Sequence, residues 1–196
     1  MLDRLNLQGI EVRGGAVGMI LSGFSAFPSL ATKYLAQCGL TTEISGGRVT
    51  VNKPWVSLPL WLETFDVMLK DIGPNALFQL GLAITKNPNV LVAGDIRSTI
   101  GRMDVSYHMS HRKNGELMYE ASTGRMLEGI GHYVMNADGQ ANRLLVHSDT
   151  PYPCQGELGM LTSLAMVVEP RVHVRHEEQG QCRMQRDRKC IYQITW

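Results

Sequence analysis

The chain ends in Cys182-Arg-Met-Gln-Arg-Asp-Arg-Lys-Cys190-Ile-Tyr-Gln-Ile-Thr-Trp196, and this stretch decides how its C-terminal third is interpreted. Two cysteines bracket a basic, turn-prone run, and the residues after Cys190 alternate in the manner of a β-strand. We therefore predict a hairpin with one sulfur on each arm. With a third thiolate from Cys154 and a carboxylate from the pair Glu177–Glu178, the hairpin would offer Zn²⁺ four ligands in a closed structural site. The alternative is that the three cysteines are inert and buried.

Length and charge limit the classes of protein to consider. A chain of 196 residues with a net charge of +1 is most simply one domain over 1–196. It carries no basic stripe, so we expect no direct nucleic-acid partner. Its N-terminus lacks the long apolar run of a signal peptide, and no segment reaches the roughly 20 apolar residues of a membrane span. We therefore expect a cytoplasmic protein without a membrane partner, in a compartment where cysteines are metal ligands, catalytic groups or core.

Periodicity predicts helices first and hairpins later, which is typical of an α+β fold. We expect the N-terminal helices to pack on a twisted antiparallel sheet, followed by the zinc-stapled hairpin. About 1–50 would serve as a packing or dimerisation segment, because the apolar run 16–21 suits either a contact surface or the core. The predicted helices cover 29–38, 58–69, the segment from Pro74, 94–112 and 156–168. The predicted strands cover 9–14, 131–135, 143–147 and 171–177. We expect 131–135 and 143–147 to form a hairpin across an Asp-Gly turn, and 171–177 to pair with the C-terminal strand.

The C-terminal order of Cys154, a long helix, an acidic residue, Cys182, seven residues and Cys190 resembles the 4-vinyl reductase domain. The same domain is the sensor region of bacterial regulators that respond to aromatic compounds. It lies in a superfamily with haem-based nitric-oxide sensors and TRAPP-type tethering subunits. The resemblance covers about the last 45 residues, extends as a helix and sheet order over most of the chain, and is undetectable in the first 50.

This resemblance implies a zinc site beside a buried pocket for a small molecule. By order and spacing, Cys154, Cys182 and Cys190 match three of the zinc ligands. The hairpin of this chain is slightly longer than in the family, so the spacing does not single out the fourth ligand. We prefer Glu178, with Glu177 and His176 as alternates.

The resemblance also points to a histidine that binds the ligand's hydroxyl about 50 residues before the first zinc cysteine. His108 lies 46 residues before Cys154 and is the best candidate. We predict that it anchors a ligand in a mostly apolar pocket. The alternative is an exposed polar helix end. The predicted walls of the pocket are Trp61, Phe65, Phe78 and Tyr133.

Haem is a second candidate cofactor. The run from His108 through Ser110 to Arg112 is similar to the Tyr-x-Ser-x-Arg run of haem nitric-oxide sensors, with histidine in the tyrosine place. Because of that departure, we treat haem as a possible cofactor that the sequence does not favour. No nucleophile elbow or phosphate-binding loop is present, so we expect a binder more than a catalyst.

The sequence therefore predicts a sensor-type protein with a structural zinc and a pocket for a small hydrophobic or aromatic molecule. Its signal would pass through a homodimer or a partner regulator. The alternatives are an enzyme or accessory factor acting on a tetrapyrrole or another ring, a haem-binding sensor, or an interaction scaffold without a ligand.

Overall fold

The computed structural model describes residues 4–21, 28–37, 39–40, 42–45, 48–86, 93–136, 139–177, 182 and 189–196. Within these ranges the α-helices are α1 (Gly14–Leu21), α2 (Pro28–Gln37), α3 (Leu58–Ile72), α4 (Pro74–Leu82), α5 (Ile96–Gly101), α6 (Met103–Met109) and α7 (Cys154–Val168). Short 3-10 helices cover Arg4–Leu7 and Ala83–Lys86.

The strands form two four-stranded antiparallel sheets and two small pairs. They are β1 (Ile10–Arg13), β2 (Thr42–Ser45), β3 (Arg48–Val51), β4 (Trp55–Ser57), β5 (His111–Lys113), β6 (Glu116–Leu117), β7 (Tyr119–Glu120), β8 (Arg125–Met126), β9 (Tyr133–Asn136), β10 (Arg143–Ser148), β11 (His173–His176) and β12 (Cys190–Thr195). The N-terminal sheet has the order β4-β1-β5-β6 and the C-terminal sheet β11-β12-β10-β9; β2 pairs with β3, and β7 with β8. The predicted α+β class with antiparallel sheets is confirmed, although there are two main sheets where we expected one.

Local sequence signals set most helix boundaries correctly. Gly73 ends α3 with a φ of +79°, a conformation that favours glycine, and Pro74 then occupies the first turn of α4, where its missing N–H costs nothing. One face of α3 is buried, as its period predicts. The buried residues of α3 are Leu58, Trp61, Leu62, Thr64, Phe65 and Met68.

The prediction of a single helix over 94–112 was wrong. The chain forms two short helices, α5 and α6, which meet at Arg102, and residues from His111 onward form β5. β5 pairs with β1, with Val12 opposite His111, and the Asn114–Gly115 turn leads into β6. Asn114 and Gly115 both have positive φ, as a tight hairpin turn requires. The period of 94–112 resembles a helix, but pairing with a distant strand determines its last residues.

Two glycines, Gly81 and Gly159, allow α4 and α7 to cross with their backbones in contact. A Cβ atom added at Gly81 would overlap the carbonyl oxygen of Gly156, and one at Gly159 would overlap that of Phe78. The small residues of α7 therefore fix where this helix lies, and with it the position of Cys154 at its first turn.

The buried apolar residues form two clusters. One joins α1 to α4 with the N-terminal sheet, and the other joins α5 and α7 with the C-terminal sheet. Val17 and Leu21 of the apolar run 16–21 are buried in the first cluster, at 0% and 1% exposure. These two side chains are therefore core residues and do not contribute to a dimer contact surface.

None of the described helices is both long and apolar enough to cross a membrane.

Candidate functional site

Three cysteines converge between α7 and the C-terminal sheet. Cys154 is the first residue of α7 and Cys190 the first residue of β12, where it lies opposite Ser148 of β10. Cys182 is buried close to them, and no disulfide bond joins any two of the three. We call Cys154, Cys182, Cys190 and the neighbouring His176 the thiol cluster.

The predicted hairpin geometry is confirmed only in part. β12 pairs with β11, as expected for the segment 171–177, but Cys182 is not in a strand. Glu178, the preferred carboxylate ligand, lies outside the described residues.

His176, one of the alternates, completes the cluster on the β11 side. Donor atoms of Cys154, His176 and Cys182 lie within 4.8 Å of one another. The His176 ring packs on Tyr192 with 5.0 Å between ring centroids. Its buried Nε2 has no hydrogen-bond partner among the described residues. Glu177, the other alternate, instead accepts a hydrogen bond from Arg175 at 2.9 Å.

The thiols affect one another's ionisation. A hydrogen bond with Cys190, burial, and the proximity of Cys182 all raise the pKa of the Cys154 thiol. A bound cation would act in the opposite direction, because coordination favours the thiolate.

His108 is the second predicted site residue, and it is fully buried on α6, with no exposed surface. Its Nδ1 lies 2.8 Å from the backbone carbonyl oxygen of Asp104. A carbonyl can only accept, so Nδ1 carries the proton and Nε2 of the neutral ring carries a lone pair. Nε2 is buried and has no hydrogen-bond partner within the described ranges. The expectation of an exposed polar helix end at this position was wrong.

His111 shows how a satisfied buried histidine looks in the same region. Its Nδ1 lies 2.7 Å from the carbonyl oxygen of Tyr107, and its Nε2 accepts from the Tyr152 hydroxyl at 2.9 Å. Burial lowers the pKa of His111 to about 4, so the ring is neutral at pH 7. Burial likewise raises the pKa of Tyr152, which keeps its proton and remains a donor.

A polar group that sequence reasoning missed lies beside His108. The His108 and His132 rings stack with 4.8 Å between centroids, and His132 Nδ1 lies 2.9 Å from Asp104 Oδ2. His132 Nε2 lies 3.0 Å from Glu128 Oε2, and Asp104 Oδ1 accepts from the Tyr133 N–H. Burial lowers the pKa of His132, but the hydrogen bonds with Asp104 and Glu128 outweigh it, so the net shift is upward. We call Asp104, His108 and His132 the histidine cluster.

Glu157, also missed, is a buried residue of α7 whose carboxyl oxygens accept from four hydroxyl groups. Oε1 accepts from Tyr133 at 2.9 Å, from Ser148 at 2.8 Å and from Thr150. Oε2 accepts from Tyr192 at 2.7 Å, and the same hydroxyl lies 3.1 Å from the Cys154 carbonyl oxygen. Glu157 lies one helical turn after Cys154 and one before Leu161, so a glutamate on the apolar face of α7 was the available signal.

The aromatic residues predicted to line a pocket are brought together only in part. Trp61 and Phe65 pack at 4.5 Å, and Phe65 lies 6.0 Å from Tyr152. Tyr107 joins this group to Tyr133, its ring 6.0 Å from Tyr152 and 5.3 Å from Tyr133. Phe78 is only partly buried, and no ring contact of its side chain is seen in the described structure. Trp61, Phe65 and Tyr133 therefore belong to one aromatic group beside His108, which Tyr107 and Tyr152 complete.

An open cleft of about 350 Å³ lies on the surface, away from this group. Its walls include Arg13, Met109, Glu116, Leu117, Tyr119 and Arg125. None of the predicted ligand-binding residues lines it.

The resemblance of the run 108–112 to a haem-sensor motif does not extend to its geometry. His108 is buried, whereas the Ser110 hydroxyl donates to the Ser106 carbonyl oxygen, 2.9 Å away. Arg112 donates to Glu11 at 2.5 Å, and its guanidinium lies over the Trp55 ring. The three side chains do not form one cradle.

Comparison by sequence and by structure gave different results. No family model matches the chain, and no curated protein matches it. The 4-vinyl reductase and TRAPP-type assignments therefore remain predictions.

Solved structures of H-NOX domains do match. An oxygen-binding H-NOX domain related to soluble guanylate cyclases, in its oxygen complex, has a TM-score of 0.58 and 11% identity, covering 93% of this chain and 94% of that one. A variant of the H-NOX protein of T. Tengcongensis has a TM-score of 0.58 and 11% identity, covering 93% and 96%. An H-NOX domain studied for haem distortion has a TM-score of 0.62 and 12% identity, covering 94% of each chain.

The similarity extends over nearly the whole length of both chains, far beyond the C-terminal segment that carried the resemblance in sequence. Several of these solved structures are of haem proteins. This finding runs against our prediction from the sequence, which did not favour haem. At 10 to 13% identity the similarity concerns the fold, and the chain has the fold of H-NOX domains.

Proposed function

We propose that this chain is a ligand-binding domain of the sensor type in which His108 is the point of attachment for the ligand. One observation carries the proposal: a fully buried imidazole whose Nδ1 is fixed by the Asp104 carbonyl and whose Nε2 has no hydrogen-bond partner among the described residues. Burying a polar atom without a hydrogen bond costs about 1 to 3 kcal/mol. A ligand atom bound at Nε2 would recover that cost.

Haem is the first candidate for this ligand, because the structural neighbours are H-NOX domains. His108 would hold the iron, because an imidazole that ligates a metal commonly donates its other N–H to a backbone carbonyl, as His108 does. The remainder of the haem-sensor motif does not fit, since the Ser110 hydroxyl donates to the Ser106 carbonyl and Arg112 pairs with Glu11. When bound, haem would supply an iron that reversibly binds a gas molecule.

The residues around His108 would then have simple roles. The Asp104 carbonyl holds the ring orientation and keeps the proton on Nδ1, and the stacked His132 ring restricts rotation. Tyr107, whose ring contacts His108 and whose hydroxyl donates to the Ile130 carbonyl, covers the imidazole edge. Together these contacts keep Nε2 shielded from water.

The second candidate is a small aromatic molecule that carries a hydroxyl group. The aromatic group of Trp61, Phe65, Tyr107, Tyr133 and Tyr152 favours it, because such rings provide apolar and edge-to-face contacts to another ring. A neutral Nε2 would accept the hydroxyl proton of the ligand and so determine its orientation.

We also propose that the thiol cluster binds one Zn²⁺ through Cys154, Cys182, Cys190 and His176. Three sulfurs and one imidazole nitrogen form a set that zinc prefers in closed structural sites. His176 replaces the preferred Glu178 in this proposal because one of its ring nitrogens lies with the thiols. Its Nε2 is also buried without a hydrogen-bond partner among the described residues. Elemental analysis of protein purified without chelator should give one zinc per chain, and a value near zero would refute this part of the proposal.

Haemin titration followed by absorbance tests the role of His108. We expect a Soret band typical of histidine ligation in the wild-type protein, its loss in His108→Gly, and its return when imidazole is added to that variant. His147→Gln, which replaces a histidine on β10 away from the cluster, should behave like the wild type.

Calorimetric titration with phenol is the second arm of the test. Heat that disappears in His108→Gly, without any haem spectrum, would assign the site to an aromatic hydroxyl compound. If neither haemin nor phenol binds, or if both bind equally well to His108→Gly, the proposed role of His108 is wrong.

The mode of signalling remains a prediction. Sedimentation should give a dimer if the signal passes through a second copy of the chain, and a monomer would instead require a partner regulator. Steady turnover of a bound ring compound would favour the alternative of a pocket enzyme.

A further inference from the structure

The histidine cluster has the composition of a metal site of a different kind from the thiol cluster. One ligand atom from each of Asp104, His108 and His132 lies within 4.8 Å of the other two. Asp104 and His108 are four residues apart and share one face of α6, and His132 directly precedes β9. Two imidazoles and one carboxylate are the donor set of many sites for first-row divalent metals, which keep open coordination positions.

The outer hydrogen bonds of the cluster already suit a bound metal. His108 donates Nδ1–H to the Asp104 carbonyl, and Asp104 Oδ1 accepts from the Tyr133 backbone N–H. The Glu128 carboxylate lies 3.0 Å from His132 Nε2, where it can accept a proton from that nitrogen. Metal-binding histidines and carboxylates are typically oriented by such outer partners. The atoms left for a cation are His108 Nε2, His132 Nδ1 and Asp104 Oδ2, although in this structure His108 approaches the Asp104 carboxylate through Nδ1, which lies 3.6 Å from Oδ1.

Two of these atoms now share a proton, and the third has no partner among the described residues. His132 Nδ1 and Asp104 Oδ2 are 2.9 Å apart, with a proton between them. His108 Nε2 is buried and without a partner in the same part of the chain. A divalent cation could release the first proton to solvent and bind both freed lone pairs, while Glu128 keeps the Nε2 proton of His132. The charges of Asp104 and Glu128 would then balance the two charges of the cation.

We propose that Asp104, His108 and His132 bind a divalent first-row transition metal, with Glu128 as the outer partner of His132. This inference goes beyond the proposed function, with which it shares only the lone pair of His108. A cation held by the histidine cluster and a ligand attached to His108 would compete for the same atom. Divalent metal would therefore weaken haemin or phenol binding.

Cadmium-113 NMR of the full chain tests the proposal, because the chemical shift separates sulfur ligands from nitrogen and oxygen ligands. We expect a resonance in the nitrogen and oxygen range for the wild-type protein, whether or not a sulfur-rich resonance is also present. The variants His132→Gln and Asp104→Asn should lose it and keep any sulfur-rich resonance. In Asp104→Asn the side-chain oxygen can still accept from the Tyr133 N–H, so folding should be preserved.

The matched control is His147→Gln, which leaves the cluster intact and should keep the resonance. If the wild-type spectrum lacks the resonance in the nitrogen and oxygen range, the proposal is wrong. The proposal is also wrong if that resonance persists in both His132→Gln and Asp104→Asn. Failure of haemin and phenol to bind would leave this resonance unaffected, so the proposed function and the metal site can fail independently.

Discussion

The thiol cluster and the histidine cluster both combine buried and partly buried side chains of types that can ligate metals. Both include residues from a helix beside the C-terminal sheet. They differ in how their polar atoms are satisfied. In the histidine cluster nearly every polar side-chain atom has a hydrogen-bond partner, and His108 Nε2 is the one that lacks a partner among the described residues. In the thiol cluster the sulfurs face one another, and their proximity makes ionisation of Cys154 unfavourable.

Because of this difference, we expect metal binding to change the folding stability of the protein by different amounts at the two clusters. Hydrogen bonds between protonated thiols are weak and stabilise the fold little. Metal binding at the thiol cluster should therefore contribute directly to folding stability. The histidine cluster is already held together by hydrogen bonds, so a cation would replace existing interactions and change stability less. The first cluster is suited to a structural role and the second to reversible binding.

Glu157 connects the two clusters, and its removal should have the largest effect. Glu157→Ala would leave the hydroxyls of Tyr133, Ser148, Thr150 and Tyr192 without their shared acceptor in the core. We expect a loss of about 3 to 5 kcal/mol in the free energy of unfolding, measured by urea denaturation. Glu157→Gln keeps one carbonyl oxygen as acceptor and should cost less. Equal losses in both variants would mean that the carboxylate is not the organising group.

Acid should destabilise the protein through His111, which lies beside the histidine cluster. The pKa of this ring is about 4 in the folded protein and 6.5 ordinarily, so below pH 6.5 the unfolded chain binds the extra proton. Stability from this group is full above pH 6.5 and falls as the pH drops towards 4, by about 3 kcal/mol in total. The change between pH 6.5 and 5 should be clearly smaller in His111→Gln; parallel curves for the two proteins would contradict it.

Metal should stabilise the protein through the thiol cluster by a somewhat smaller amount. At free Zn²⁺ 100-fold above Kd, the expected gain is roughly 2.7 kcal/mol, seen as a rise in melting temperature that chelator reverses. Cys182→Ser should lose most of this gain, whereas His132→Gln should retain it. An equal zinc-dependent rise in the Cys182→Ser protein would place the stabilising metal outside the thiol cluster.

The smallest effect should come from Glu128, whose side chain is 82% exposed. Glu128→Gln should change the free energy of unfolding by less than about 1 kcal/mol, because exposed pairs are screened by water. It should nevertheless lower the pKa of His132, measured by NMR titration, since the carboxylate is one of the groups that raise it. An unchanged pKa would show that Asp104 alone holds the His132 proton.

Much of the architecture could be predicted from local sequence patterns. The Gly73–Pro74 junction, the amphipathic face of α3, the β9 and β10 hairpin and the pairing of 171–177 with the last strand all depend on spacing and turn chemistry within short windows. The choice of His108 came instead from the family resemblance, which implies a ligand-binding histidine about 50 residues before the first zinc cysteine. Its burial confirms that it is no exposed helix end.

The sequence by itself determined the α+β class, most element boundaries, and the convergence of Cys154, Cys182 and Cys190 in the C-terminal region. Only the tertiary structure decided that His111 begins a strand, that His176 lies with the thiols, and that Asp104, His108 and His132 meet. It also decided that Glu157 collects four hydroxyls from across the C-terminal sheet. The physical reason is that these contacts join residues far apart in the chain, through strand pairing and the glycine-mediated crossing of α4 and α7, whereas periodicity and turn signals report only on neighbours.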